Sequence, residues 1–302
     1  MRKTPDNGQF GGMTPTRVVV LLDASPDALR ALEAAAELAR RHDVPLLAVT
    51  VEETDRLRSA AFSFASEVGA ASGAIRPVDE ALLSRRRERL PVGIRRVVER
   101  VAGSDGISWR LVVARGRLVE EVLALSEPGD VLMLGRVGWS SRLGRRLGTA
   151  PLVLARRAMG SVQICSARPV RERGRIAVLV EDPAAAQPLL GLAAERARRA
   201  GRELTLLLPA SADVDPERLA AAMGRRPPAW RSRVLRSLAT GEMLRVLAEE
   251  RAVELLVGRG GAWLDSPIAA RLLSHWQMPL LVVGEPAPDQ LSTSSPAGSR
   301  RL

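Results

Sequence analysis

Residues Arg17–Val51 read RVVVLLDASPDALRALEAAAELARRHDVPLLAVTV, and this stretch decides the fold. Arg17–Asp23 is a short apolar run closed by a carboxylate, the pattern of a strand buried on both faces. Ser25–His42 then sets Leu29, Leu32, Ala36 and Leu38 at helical spacing, with Pro26 near the start, where its missing N–H costs nothing. Val44–Val51 is a second apolar run. Strand, helix and strand in such close succession make a βαβ unit, which implies parallel strands and a right-handed crossover.

The same alternation continues outward. Strands are expected at Ser108–Ala114, Asp130–Gly135 and Ser161–Cys165, and helices at Asp79–Ala102, Arg115–Glu127 and roughly Thr149–Met159. Glu52–Pro77, rich in Ala, Ser and Gly, reads as an insertion, either a loop or a small accessory helix, without an assigned role. The second half repeats the plan: strands at Arg175–Asp182, Arg202–Pro209, Trp230–Arg236, Val253–Gly258 and Leu280–Gly284, with helices at Pro183–Ala200, Gly241–Arg251 and Pro267–His275. Trp109 matches Trp230, and Gly135-Arg136 matches Gly258-Arg259, so the chain is one module duplicated. The expected fold class is α/β: two tandem Rossmann-like open parallel sheets of five strands each, with helices on both faces. The expected division is an N-terminal arm (1–16), a first domain (17–168), a linker (169–174), a second domain (175–284) and a disordered tail (285–302).

Composition narrows the function classes. The 302 residues are 46% hydrophobic and 26% charged, as in an ordinary globular protein. The net charge is +11, and all the basic residues except Lys3 are arginine. Arginine suits phosphate, but a general compositional bias explains the excess as well, because Ala, Gly, Leu and Val are also abundant. A lone Cys165 excludes an internal disulfide framework and a multi-cysteine zinc site, and fits a cytoplasmic setting. His42 and His275 leave little room for imidazole chemistry; each reads as a cation or cap at a helix end. The N-terminal residues lack the apolar core of a signal peptide, and no apolar run reaches the roughly 20 residues of a membrane helix.

The stretch with the most chemistry is GRVGWSSRLGRRLGT, which reads Gly135-x2-Gly138-x9-Gly148-Thr149. It leaves the end of a predicted buried strand and opens a helix, the place where open α/β sheets bind ligands. Glycines there let backbone N–H groups approach phosphate oxygens, and a helix N-terminus adds donors and partial positive charge. The Thr149 hydroxyl can donate to the same oxygens, and Arg136, Arg142, Arg145 and Arg146 could neutralise them. The alternative is a plain surface turn between strand and helix. Asp23, likewise, could be a ligand contact or an Asx turn closing the loop before Ser25-Pro26.

The glycine spacing, Asp23 at the end of the first strand and the five-strand βα order together resemble the universal stress protein family. The loop fits that family's ATP-binding signature, Gly-x2-Gly-x9-Gly-Ser/Thr, at every specified position. The resemblance implies that Asp23 faces the ribose and Val51 lies beside the adenine. It implies that Gly135, Gly138, Gly148 and Thr149, with Arg136 beside them, hold ribose and phosphates. The implied cofactor is ATP, with or without Mg2+, and no metal site of the protein's own is implied.

The second module departs from that pattern. It carries Glu181 at the Asp23 position, and Asp265 replaces the glycine before Ser266. It reads as a degenerate module whose job is packing against the first, as two family domains pair in a dimer; a true homodimer is the alternative. Trp139 and Trp263, each beside its glycine loop, could cover a nucleotide or pack an interface.

The expected function is therefore a nucleotide-binding regulatory or stress protein, with at most weak ATP hydrolysis and no catalytic residue assigned. A ligand-free interaction module is the alternative. Nucleic-acid binding ranks third, because the positive charge is spread over both halves and stacking aromatics are scarce.

Overall fold

The computed structural model describes residues 15–23, 25–53, 66–68, 75–77, 80–103, 106–136, 149–166, 173–183, 185–212, 215–275 and 278–284. The first half runs β1 (Arg17–Leu21), α1 (Pro26–His42), β2 (Leu46–Glu53), β3 (Ser66–Val68), β4 (Ile75–Pro77) and α2 (Glu80–Ala102). It continues through β5 (Trp109–Gly116), α3 (Leu118–Leu125), β6 (Asp130–Gly135), α4 (Thr149–Arg157) and β7 (Ser161–Cys165). The second half runs β8 (Arg175–Leu179), α5 (Gln187–Ala200), β9 (Leu204–Pro209), α6 (Pro216–Ala222), β10 (Trp230–Leu235) and α7 (Thr240–Glu249). It ends with β11 (Ala252–Gly258), α8 (Ala262–Asp265), α9 (Pro267–His275) and β12 (Leu280–Val283).

Three expectations need correction. Within the insertion, read as a loop or a small accessory helix, the described residues Ser66–Val68 and Ile75–Pro77 pair as a small antiparallel ladder. The helix expected from Pro183 begins only at Gln187, where Pro188 falls in the first turn and its missing N–H costs nothing. Its counterpart α1 starts at Pro26, capped by the Ser25 side chain accepting from Ala28 N. The segment after β9, read as a short connection, contains α6, capped by Asp215.

Ten strands form one sheet, in the order β10-β9-β8-β11-β12-β7-β6-β1-β2-β5. Neighbours within each half are parallel, and the halves meet through the antiparallel pair β12–β7. Helices α1, α2, α5 and α6 cover one face with a continuous apolar layer, and α3, α4, α7, α8 and α9 cover the other. The strands are apolar on both sides because both sides are covered.

The two halves superpose in register. Val18 pairs with Leu46 and Val131, as Ile176 pairs with Leu204 and Glu254. The first helix of each half ends on a left-handed residue, Asp43 or Gly201, whose N–H returns to the last turn.

Candidate functional site

In each half the chain passes from its first strand to opposite sides of the sheet. β1 lies between β2 and β6, and β8 lies between β9 and β11. The carboxyl ends of β1 and β6, and of β8 and β11, are therefore topological switch points, where an open α/β sheet leaves a crevice.

At the first switch point Asp23 follows β1 and Gly135 ends β6. Asp23 Oδ1 accepts from the Ser25 N–H at 3.0 Å, the Asx turn that was one of its two sequence readings. This bond fixes the carboxylate at the mouth of the crevice. Gly135 has a steric role of its own. A Cβ there would lie 2.8 Å from Ala28 N and 2.9 Å from the Asp27 carbonyl carbon, so α1 is seated on the glycine. Val51, half-buried near the end of β2, pairs with Ala114 of β5.

Arg136 is only 4% exposed. Its counterpart, Arg259, crosses to the other half and donates to Ala155 O at 3.0 Å, to Met159 O at 3.2 Å and to Gly160 O. Arg259 thereby caps the C-terminal end of α4. The repeated Gly-Arg pair, visible in the sequence, marks this position in both halves. Thr149 opens α4. Gly138 and Gly148, with Trp139, Arg142, Arg145 and Arg146, lie outside the described residues.

At the second switch point the geometry is closed. Glu181 follows β8, and its Oε1 accepts from Trp263 N at 2.8 Å, capping the single turn of α8. The carboxylate in this position lies against Gly261: a Cβ there would stand 1.8 Å from Glu181 Oε2, so the Glu181 side chain would have to shift. Burial raises the Glu181 pKa, and the Trp263 N–H opposes that rise. Trp263 is 1% exposed and belongs to the apolar layer, which decides its earlier ambiguity for packing. Asp265 pairs with Arg156 of α4 at 3.4 Å, and Arg156 also donates to Leu264 O at 2.9 Å and 2.8 Å. The crevice of the second half is thus filled by its own side chains.

The remaining titratable candidates are structural. Cys165 is buried, and its thiol is pushed up to about 12, chiefly by burial and then by Glu254. His42 is pushed down to about 4 by burial and by Arg199 and Arg41, so it is neutral at pH 7, which removes the cation from its two readings, cation or cap. Among the described residues no cluster of three or more His, Cys, Asp or Glu could hold a metal, and no helix is long and apolar enough to cross a membrane.

Residues 15–164 match the model of the universal stress protein family. Among curated proteins nothing matches. A universal stress protein from Archaeoglobus fulgidus shares the fold, with a TM-score of 0.65 and 15% identity over 93% of this chain and 99% of that one. A functionally unknown protein from Pseudomonas aeruginosa aligns with a TM-score of 0.55 and 14% identity, over 91% of this chain and 95% of its own. A further Archaeoglobus fulgidus universal stress protein, in complex with dAMP, covers 37% of this chain and 99% of its own, with 16% identity and a TM-score of 0.29. Through residues 15–164, from β1 to β7, the chain belongs to the universal stress protein family.

Proposed function

We propose that the first half binds an adenine nucleotide, ATP, at its switch point, and that the protein acts as a nucleotide-responsive regulator and not as an efficient enzyme. The observation that carries the reading is the Gly135-x2-Gly138-x9-Gly148-Thr149 spacing set at the carboxyl end of β6, beside Asp23 and leading into α4. The donor chemistry fits the ligand. Asp23 is an acceptor suited to ribose hydroxyls. Loop N–H groups, the start of α4 and the Thr149 hydroxyl are donors suited to phosphates. Val51 supplies an apolar edge for the base. Mg2+, where bound, would accompany the phosphates of the nucleotide.

The second half contributes differently: Glu181 and Trp263 occupy its crevice, and its role is that of a built-in partner to the first. A regulatory role accords with this division of labour.

Calorimetric titration of the purified chain with ATP tests the reading. One nucleotide per chain, with a melting temperature that climbs with ligand concentration, is the expected result. No heat and a melting temperature indifferent to millimolar ATP would overturn it in favour of a ligand-free interaction module. A nucleic-acid role would instead show as oligonucleotide binding with a steep salt dependence.

A further inference from the structure

We infer that the seam between the two halves is keyed, so that β7 accepts β12 and rejects a second copy of itself. The seam is an antiparallel ladder pairing Val162 with Val282, Gln163 with Leu281 and Ile164 with Leu280. Sheet register makes Val162, Gln163 and Ile164 the counterparts of Leu280, Leu281 and Val282. The local two-fold axis therefore passes through the Gln163–Leu281 pair. A strand pair with this symmetry could equally form between two copies of β7 or two copies of β12, because the backbone hydrogen bonds would be the same.

Side chains break the symmetry. On one side of the axis Gln163 meets Arg196 of α5 and Glu254 of β11. Arg196 holds Glu254 with two bonds, Nε to Oε2 at 3.1 Å and Nη2 to Oε1 at 2.6 Å. Arg196 Nη2 also donates to Gln163 Oε1 at 3.3 Å. Gln163 Nε2 donates in turn to Glu254 Oε1 and Leu280 O, each at 3.4 Å. Gln163 and Glu254 are only 4% and 8% exposed. The symmetry-related positions on the other side are Leu38 of α1, Val131 of β6 and Leu281 of β12, all apolar and packed in the same layer. One side of the seam is a polar trio, and the other is its apolar image.

Each wrong pairing loses the trio. Two copies of β7 would set each Gln163 over Leu38 and Val131, with only the opposite glutamine to bond. Two copies of β12 would leave Arg196–Glu254 facing Leu281. A buried amide or ion pair without its partner is costly, whereas the matched trio is satisfied. Buried polar groups of this kind select a partner more than they add stability, as charge and amide patterns do in coiled coils.

The test uses the full chain. Q163L removes the group that penalises self-pairing and strips the amide from Arg196 and Glu254. The expected result is a melting temperature lowered by about 2–8 °C. After refolding from denaturant, light scattering should also show species heavier than those of wild type, their share rising with protein concentration. The triple variant Q163L/R196L/E254V copies the apolar trio across the axis. It should recover the wild-type melting temperature or exceed it, yet still scatter as mixed assemblies. Chemical cross-linking in those assemblies should join β7 to β7. If Q163L keeps both the wild-type melting temperature and a single wild-type mass, the seam is not keyed. If the triple variant folds to that single mass, the trio does not select the partner. Should the triple variant not fold, the mass distribution of Q163L alone decides.

Discussion

Asp23 and Glu181 occupy the same position after the first strand of their halves, one methylene apart, and the two crevices differ accordingly. The shorter carboxylate turns back on its own loop and bonds Ser25 N–H. The longer one spans the crevice and bonds Trp263 N–H, drawing a single helical turn and a buried tryptophan over the opening. Gly135 and Gly258 diverge in the same way. The first is pressed against the N-terminal turn of α1, and the second has nothing within 4 Å of where its Cβ would be, because α5 starts one turn later. One half keeps a short carboxylate at its switch point and builds up the helix beside it. The other shortens that helix and fills the crevice. A duplicated module can thus hold its sheet constant while its loop ends diverge, since the sheet is set by buried ladders and the crevice by a few side chains at their ends.

The largest expected effect tests the constant part, at the opposite ends of the strands. Arg17 of β1 grips Asp130 of β6 with two bonds, at 3.0 and 2.7 Å, and Asp130 is buried and also accepts from Glu127 N–H. The corresponding Arg175 pairs with Glu203, which is half exposed. D130A should cost about 2–4 kcal/mol in denaturant unfolding, since it leaves the half-buried Arg17 guanidinium only the exposed Glu127 carboxylate, at 3.4 Å, and takes the acceptor from Glu127 N–H. E203A should cost less than about 1 kcal/mol. Equal losses would mean that the two halves are not anchored differently.

The next effect concerns the ligand. Replacing Gly148 by aspartate gives the first loop the residue that the second has at Asp265. A carboxylate among the phosphate donors should weaken ATP binding by roughly a hundredfold, about 2.7 kcal/mol. The melting temperature without ligand should stay near that of wild type. An unchanged titration would sink the assignment of the loop to phosphate.

A smaller difference separates the paired glycines. G135A must displace the backbone of Asp27 and Ala28 and should cost about 1–3 kcal/mol. G258A meets open space and should stay within about 0.5 kcal/mol. If both substitutions cost the same, the seating of α1 on Gly135 is not what holds that helix.

Much of the sheet is legible in the sequence because buried parallel strands leave apolar runs, and Val18–Val20 or Leu206–Leu208 can be little else. The duplication is legible through Trp109/Trp230 and the repeated Gly-Arg. Contacts between distant segments are not. Nothing near residue 163 announces that its amide will meet Arg196 and Glu254, because the pairing of β7 with β12 depends on folding both halves. Arg259 reads as a loop arginine, yet it caps a helix of the other half; its partners are backbone carbonyls, which have no sequence signature. Glu181 was visible as a misfit to a ribose, but its bond to Trp263 N–H follows from the position of α8, which no capping residue predicts. His42 has a helix-end sequence context that suggests a cation, and the cost of burial, with Arg199 and Arg41 nearby, reverses it.

The smallest effects should appear as opposite pH slopes. Burial raises the Glu181 pKa above its ordinary value, so the folded protein binds the proton more tightly than the unfolded chain does. The favourable contribution of this group is complete below the ordinary carboxylate pKa and is lost as pH rises through the raised value. In E181Q the amide oxygen still accepts from Trp263 N–H, while the buried charge is gone. The melting temperature of E181Q relative to wild type should therefore rise as pH climbs out of the acidic range. His42 runs the other way. Its pKa falls from 6.5 to about 4, so its contribution is present above pH 6.5 and is lost as pH drops toward 4. H42Q should gain on wild type as the solution is acidified. Melting curves of the three proteins across this range separate the two groups by sign alone. A difference between E181Q and wild type that does not change with pH would mean that Glu181 carries no buried charge, and that the second crevice is open to water instead of filled.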